Sequence, residues 1–409
     1  MNYPLVINQH HQFKQSSVGQ CSRAFISEMK CTEWTPYVYA SDRDMLEKPI
    51  PEYVRIIHER KYWTYLDKVV RHFILPDLFF LPGYEWQAWG NKASKRIIKD
   101  IKKGEINPNY IHSISFSCAN HWAALKVKKA TGLPWIMQLY DPWADNPYRT
   151  FKTDFFKRKD WKQEQLAVEN ADLIIHTNEV IAELWRKRYG EKIGEKIEVL
   201  PLTSPVFNTK VTPISYDGNR KLIISYIGSL TLNRTLKPFV DALCNLIEKK
   251  PEIRDKIIVN IVGPMYDSEK SYISVNKMDS VFNYVGVISP EECDKYYNDS
   301  DIFLAVDGVN PDNFFFPSKI IKYFYFQRPI LGITPQGSVL DFELKSAHHI
   351  SIDNHNVKGI TEYLQSAICN YSSLCNFDND YYMRFSSENV MKKYSSLVSG
   401  LLSKKGINK

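Results

Sequence analysis

The sequence predicts an α/β protein of two doubly wound domains, each a parallel sheet with helices on both faces. Three observations carry this. Short apolar runs alternate with stretches of helical periodicity along most of the chain, the pattern of strand–crossover–strand units. The 409 residues are too many for one ordinary domain and suit two of about 200. Residues 201–219 carry prolines, Ser/Thr and Asp217-Gly218 with little periodicity, the composition of an interdomain linker.

In the first half, residues 4–7, 110–115, 135–140 and 173–176 read as strands, and helices are expected at 19–29, 119–130 and 179–188. The strongly aromatic stretch 53–89 is less regular. It reads as a pair of buried helices with a loop, with a membrane-contacting surface as the alternative. In the second half, strands are expected at 222–227, 257–262, 302–306, 330–333 and 350–352, with helices at 238–249 and 357–369. Ser289-Pro290-Glu291-Glu292 is a capping box with Pro at the first helical position. Pro317 and Ser318 open another helix, which ends at Gln327-Arg328-Pro329, and a last helix spans 386–402.

Bulk properties exclude several classes. With 44% hydrophobic and 24% charged residues the chain is globular. Its net charge of +7 is dispersed among acidic residues, unlike the basic runs of a nucleic-acid binder. That mild bias suits phosphorylated ligands or an anionic membrane surface. No run approaches the roughly 18 apolar residues of a spanning helix, and the start lacks a signal-peptide layout. Seven cysteines without a CxxC pair argue against a disulfide framework or a zinc site. A cytoplasmic location is expected, with peripheral contact at the inner membrane face left open. Asp378-Asn379-Asp380 mimics a metal-binding DxD but falls in an expected C-terminal loop, so no metal is assigned.

Open parallel sheets bind ligands beyond the carboxyl ends of their strands, so the residues just after each strand are the candidates. Gly228 and Ser229 follow 222–227, and Arg234 and Lys237 come at the start of the next helix. A glycine there lets backbone approach a ligand, and two cations near a helix N-terminus suit a diphosphate. Lys319 sits in the first turn of its helix, where the helix dipole disfavours a cation; a bound anion explains it better. Gln336-Gly337-Ser338 forms a loop and N-cap whose backbone N–H groups would face phosphate.

Residues 317–330 resemble the P-[GS]-K-x-x-E-Y-x-x-x-x-[KR]-P-[IV] segment of retaining glycosyltransferases with the GT-B fold, particularly family 4. Tyr226-Ile227-Gly228-Ser229 with Arg234 is similar to the donor-phosphate loop of that family. Residues 283–287, then Pro290-Glu291-Glu292 and Ser300-Asp301-Ile302, are similar to its base-binding strand and the helix after it. In the first half, Gly132-Leu133-Pro134-Trp135, residues 141–148 and residues 161–178 resemble bacterial members that build surface polysaccharides.

The resemblance implies two Rossmann-like domains facing a central cleft: an acceptor domain at 1–205, a nucleotide-sugar domain at 206–385, and residues 386–409 returning as a helix to the first. It implies a retaining, metal-independent transfer from a nucleoside-diphosphate sugar to a glycan acceptor, lipid-linked in surface polysaccharide synthesis, with no cofactor. Gly228, Ser229, Arg234, Lys319, Ser318, Asn313, Gly337 and Ser338 would hold the donor, with Val287 at the base. Asp141 would contact the reacting sugar. Gly19, Ser117 and His121 would face the acceptor, with Ser115 beside them. A turn role for Asp141-Pro142 and a structural His121 are the plain alternatives.

The sequence departs from the family at one point. The paired glutamates would fall on Phe314 and Lys322, and an ammonium accepts no hydrogen bond. Asp307, Asp312 or Asn313 are candidate substitutes, and Lys322 either meets a phosphate or is a plain helix lysine. Two rivals therefore stand: a nucleotide-sugar 2-epimerase, and a non-catalytic nucleotide- or glycan-binding subunit.

Overall fold

The computed structural model describes residues 2–407, apart from 15, 33, 43–44, 59–83, 116–117, 145, 147–153, 205–210, 212–215, 231–232 and 309–313. The chain forms two compact units. One comprises Met1–Pro205 with Ser387–Lys409, the other Val206–Ser386.

Among the described residues, the first unit holds seven strands: β1 (Pro4–Ile7), β2 (Tyr37–Ser41), β3 (Val54–Ile57), β4 (Tyr110–Ile114), β5 (Trp135–Leu139), β6 (Leu173–His176) and β7 (Ile197–Val199). Their order is β3-β2-β1-β4-β5-β6-β7, and every pairing is parallel. The central strands are buried on both faces because helices cover both sides, which is why PLVI and LIIH are continuous apolar runs. The expected all-helical stretch at 53–89 is corrected: Val54–Ile57 is an edge strand, and a helix starts at Tyr84.

The last helix, Ser387–Lys404, packs in this first unit. Its Tyr394 is fully buried, with the hydroxyl 3.1 Å from that of Tyr110 and 2.7 Å from Nδ1 of His112. His112 Nε2 lies 2.8 Å from Gln138 Oε1, so one polar chain runs from the helix through β4 to β5.

The second unit holds β8 (Leu222–Ile227), β9 (Ile257–Val262), β10 (Phe282–Gly286), β11 (Ile302–Val306), β12 (Ile330–Ile333) and β13 (Ile350–Ile352), ordered β10-β9-β8-β11-β12-β13 and all parallel. Its core gathers the apolar faces of the helices Lys237–Lys249 and Val357–Cys369 against Leu222, Ile224, Val259, Leu304 and Leu331. Asp301, wholly buried, accepts from Arg220 at 2.6 Å and from the amide of Ile223 at 2.8 Å, tying the start of β11 to β8. The capping box forms: Ser289 Oγ accepts from the amide of Glu292 at 3.2 Å, and the Glu292 carboxylate accepts from the amide of Ser289 at 2.8 Å. Asp378 is no loop carboxylate waiting for a metal; it caps the short helix Asn379–Met383.

Strand order reverses between β1 and β4 in one unit and between β8 and β11 in the other. Such a switch point splays the following loops apart and opens a crevice at the carboxyl ends. Both candidate clusters lie there.

Candidate functional site

In the second unit, β8 runs out at Ile227 into Gly228, whose φ of 137° strains any side-chain-bearing residue. A Cβ there would also stand 3.3 Å from Cδ of Lys319. Next door, Gly263 follows β9 at φ 124°, and a Cβ on it would meet the Gly228 carbonyl oxygen at 2.3 Å. Two glycines therefore let two strand ends close together and leave a bare backbone floor. Gly263 was not among the expected residues, although the residue-after-strand rule applied to 257–262 selects it.

Lys319 lies over this floor. The residue is partly exposed, but its Nζ is buried, 3.6 Å from the centroid of the Tyr226 ring, with no hydrogen-bond partner among the described residues. Arg234 stands beside it: its backbone bridges to Gly308 after β11, and its guanidinium donates to the Ser229 carbonyl at 3.4 Å. Burial first, and the positive charge of Arg234 second, hold the Lys319 ammonium well below the usual lysine range. Asp307 opposes this only in part; it is buried and accepts from the amide of Gly308 at 3.0 Å and from Thr334 at 3.4 Å. A buried ammonium facing an aromatic ring and a guanidinium is costly unless an anion joins it.

Other expected donor residues fare differently. Ser318 is the exposed N-cap of the helix Lys319–Phe326, and its side chain makes no cap bond. Val287 follows β10 and is 77% exposed. Asn313 and Asp312 lie outside the described residues, and Phe314 is partly buried. Gly337 and Ser338 are a correction. The Gly337 amide donates to Asp341 at 2.9 Å and the Ser338 amide to the Pro335 carbonyl at 3.3 Å, while Ser338 Oγ caps its helix; the loop has already spent these donors on itself. Lys322 is partly buried: its Nζ donates to Asp294 at 2.8 Å and sits 4.2 Å from the Tyr297 ring centroid.

In the first unit, Asp141 follows β5. Burial raises its carboxyl from 3.8 to about 6. The loop it opens is fastened by two carboxylates of the helix Asp154–Asn170: Glu164 accepts from the amide of Ala144 at 2.7 Å, and Asp160 from Trp143 Nε1 at 3.1 Å. His121 is corrected from an acceptor contact to a core residue. It is fully buried, with Nδ1 2.8 Å from Ser113 Oγ and its ring stacked on Trp143 at 5.7 Å; burial lowers it to about 3. Gly19 lies inside the helix Ser17–Cys31, not before it. A Cβ there would strike the His10 carbonyl oxygen at 2.4 Å, so its smallness seats the 8–14 loop on the helix. Ser115 is buried and its amide donates to Gln138; Ser117 lies outside the described residues.

What sequence reasoning passed over is a set of buried polar residues after β1 and β6. After β1 come Asn8, His11 and Gln12, and after β6 comes Asn178, all buried. Asn8 Nδ2, His11 Nε2, Gln12 Oε1 and Asn178 Nδ2 have no partner among the described residues. The carboxyl-end rule, applied to 4–7 and 173–176, points to these positions.

Comparison with known proteins agrees with this fold. Residues 35–202 match the family model described as Glycosyltransferase Family 4. Sucrose-phosphate synthase from Thermosynechococcus elongatus superposes with a TM-score of 0.69 at 13% identity, covering 99% of this chain and 100% of that one. The chain has the GT-B fold. It is similar too to the lipopolysaccharide outer core galactosyltransferase WaaB (TM-score 0.66, 12% identity, 98% and 99% covered). Anabaena HepE, in complex with UDP and glucose, gives 0.65 at 11% identity, with 97% and 99% covered. No curated protein sequence matches the chain. Among the described residues, no helix is long and apolar enough to cross a membrane and no cluster of His, Cys, Asp or Glu is arranged to hold a metal ion.

Proposed function

We propose that this chain is a glycosyltransferase, which takes a sugar from a nucleoside-diphosphate donor seated on the second unit and passes it to a hydroxyl of a glycan acceptor at the first. The observation that carries the donor half is Lys319, a buried, unpartnered ammonium on a glycine floor. As the bond from the anomeric carbon to the diphosphate oxygen breaks, negative charge collects on the leaving group. Lys319 and Arg234 take that charge, so their effect is larger in the transition state than in the ground state. Asp141 contacts the reacting sugar; with its carboxyl at about 6 it is mostly ionised at neutral pH and stabilises positive charge developing at the anomeric carbon. Retention of configuration rests on the family resemblance.

HepE, solved with UDP and glucose, makes uridine nucleotides the first probes. The likeness to WaaB supports a surface-glycan acceptor, lipid-linked, and two neighbouring helices support contact with an anionic membrane. Tyr84–Lys102 carries five Lys/Arg against Glu85 and the buried Asp100, and Cys118–Thr131 carries three lysines and no acid. Vesicles containing anionic lipid should retain the protein at low salt and release it at high salt.

The test is a thermal-shift panel of UDP, GDP, dTDP, CMP and ADP, since a ligand bound only by the folded state raises its melting point. One diphosphate should stabilise the wild type and fail to stabilise Lys319→Ala. Labelled donor with a lipid-linked acceptor then separates transfer from epimerisation or plain binding. Stabilisation by none of the five would sink the donor site.

A further inference from the structure

Lys322 lies one helical turn after Lys319 on the same helix, and residues three apart share a face with Cβ atoms about 5–6 Å apart. The two ammonium groups have opposite fates. Lys319 has no partner among the described residues; Lys322 is held by Asp294 at 2.8 Å and by the ring of Tyr297 beneath it. Asp294 and Tyr297 both come from the helix Pro290–Asp299, which is separated from the end of β10 by three residues and packs beside the helix Lys319–Phe326.

We infer that Asp294 is the residue that reads the sugar of the donor's nucleoside, accepting hydrogen bonds from ribose hydroxyls, with Lys322 as the residue that positions it. The inference rests on the diphosphate reading of Lys319. If the phosphates occupy Lys319, the ribose, joined to them through one methylene, falls within about one helical turn. A carboxylate is the group suited to that place, because it only accepts and a vicinal diol offers two donors. Asp294 is available for it: 57% of its side chain is exposed, and Lys322 takes Oδ1. Two other acidic groups nearby are committed. Glu292 closes the capping box, and Asp307 is buried and engaged with Gly308 and Thr334.

A surface ion pair contributes little to stability, so fold stability alone gives this pair small purpose. A pair that fixes a carboxylate beside a nucleotide gains instead by preorganisation, because the acceptor is already in place when the ligand arrives.

The experiment measures the affinity of the full chain for UDP against 2′-deoxy-UDP and for GDP against 2′-deoxy-GDP by calorimetry. In the wild type the ribonucleotide that binds should be preferred about tenfold or more over its deoxy form. Asp294→Ala should bring that ratio to within about threefold, while Glu291→Ala on the same helix leaves it unchanged. A wild-type ratio near one, or a ratio that survives Asp294→Ala, overturns the assignment. If affinity still falls in Lys319→Ala, that result leaves the phosphate site standing and removes only the role of Asp294. Failure of UDP and GDP alike to bind the wild type overturns both.

Discussion

The two units share one architecture and differ in what stands at the carboxyl ends of their strands. In the first, the loops after β1 and β6 carry the buried Asn8, His11, Gln12 and Asn178, and the loop after β5 carries the carboxyl of Asp141. In the second, the switch point between β8 and β11 is a floor of Gly228 and Gly263 beneath two cations, Lys319 and Arg234. A parallel sheet sets where a ligand goes and leaves its chemistry to a handful of loop residues. Neutral donors and acceptors fit the hydroxyls of a sugar; bare backbone and cations fit a diphosphate.

The largest expected consequence of this difference is in acid stability. His11, His112, His121 and His176 of the first unit are wholly buried and each lowered to about 3, mainly by burial; the second unit has His349 alone in this state. A depressed folded value means the unfolded chain binds more protons below 6.5, so stability is full above 6.5 and lost as pH falls toward 3. Each such histidine costs about 1.4 kcal/mol per pH unit in that range. Asp141, raised to about 6, offsets one of the four between about 6 and 3.8. The first unit should therefore lose stability with acid faster, by about 4 kcal/mol per pH unit against about 1.4 for the second. All nine tryptophans lie in the first unit, so their fluorescence reads it alone while far-ultraviolet circular dichroism reads both. On acid titration fluorescence should change first; coincident transitions would erase the contrast.

A smaller effect sharpens the second unit's side. Gly263→Ala combines a left-handed φ with a clash against the Gly228 carbonyl and should cost about 3 kcal/mol in urea unfolding. Gly337→Ala, at φ 78° but with nothing within 4 Å of its Cβ, should cost about 1 kcal/mol. Equal costs would mean that the floor beneath Lys319 is not tightly built.

Asp141 gives the third. Its raised carboxyl means ionisation opposes folding, a penalty absent below 3.8 and complete above about 6. Asp141→Asn should therefore stabilise the protein by about 2–3 kcal/mol at pH 7 and by almost nothing at pH 4, while transfer activity falls. A variant that loses both stability and activity would make Asp141 a turn residue.

Much of this was legible in the chain. Strands buried on both faces, such as LIISYI, IFLAV and LIIH, announce themselves as unbroken apolar runs. The strands that escaped notice include the edges β3 and β7, where a polar side reaches solvent, as Arg55 and Glu198 partly do, and the run breaks. Lys319 was legible because a cation in a first helical turn opposes the dipole. The partner of Lys322 was not, since Asp294 lies 28 residues away and only packing brings the two helices together. Nor does sequence distinguish a surface histidine from His121, which sits under Trp143.

Lys319 offers the most direct test of the division between a neutral and a cationic sheet end. Held well below the usual lysine range in the free protein, its ammonium must regain proton affinity when a diphosphate arrives. Binding of UDP, or of whichever diphosphate the thermal-shift panel selects, should then take up protons and weaken as pH rises. Calorimetry in buffers of different ionisation enthalpy measures that uptake. Lys319→Ala should abolish it and lower affinity roughly tenfold to a hundredfold, the worth of a charge-assisted contact of about 1.5–3 kcal/mol. Diphosphate binding with unchanged affinity and unchanged proton uptake in a folded Lys319→Ala protein would contradict the assignment.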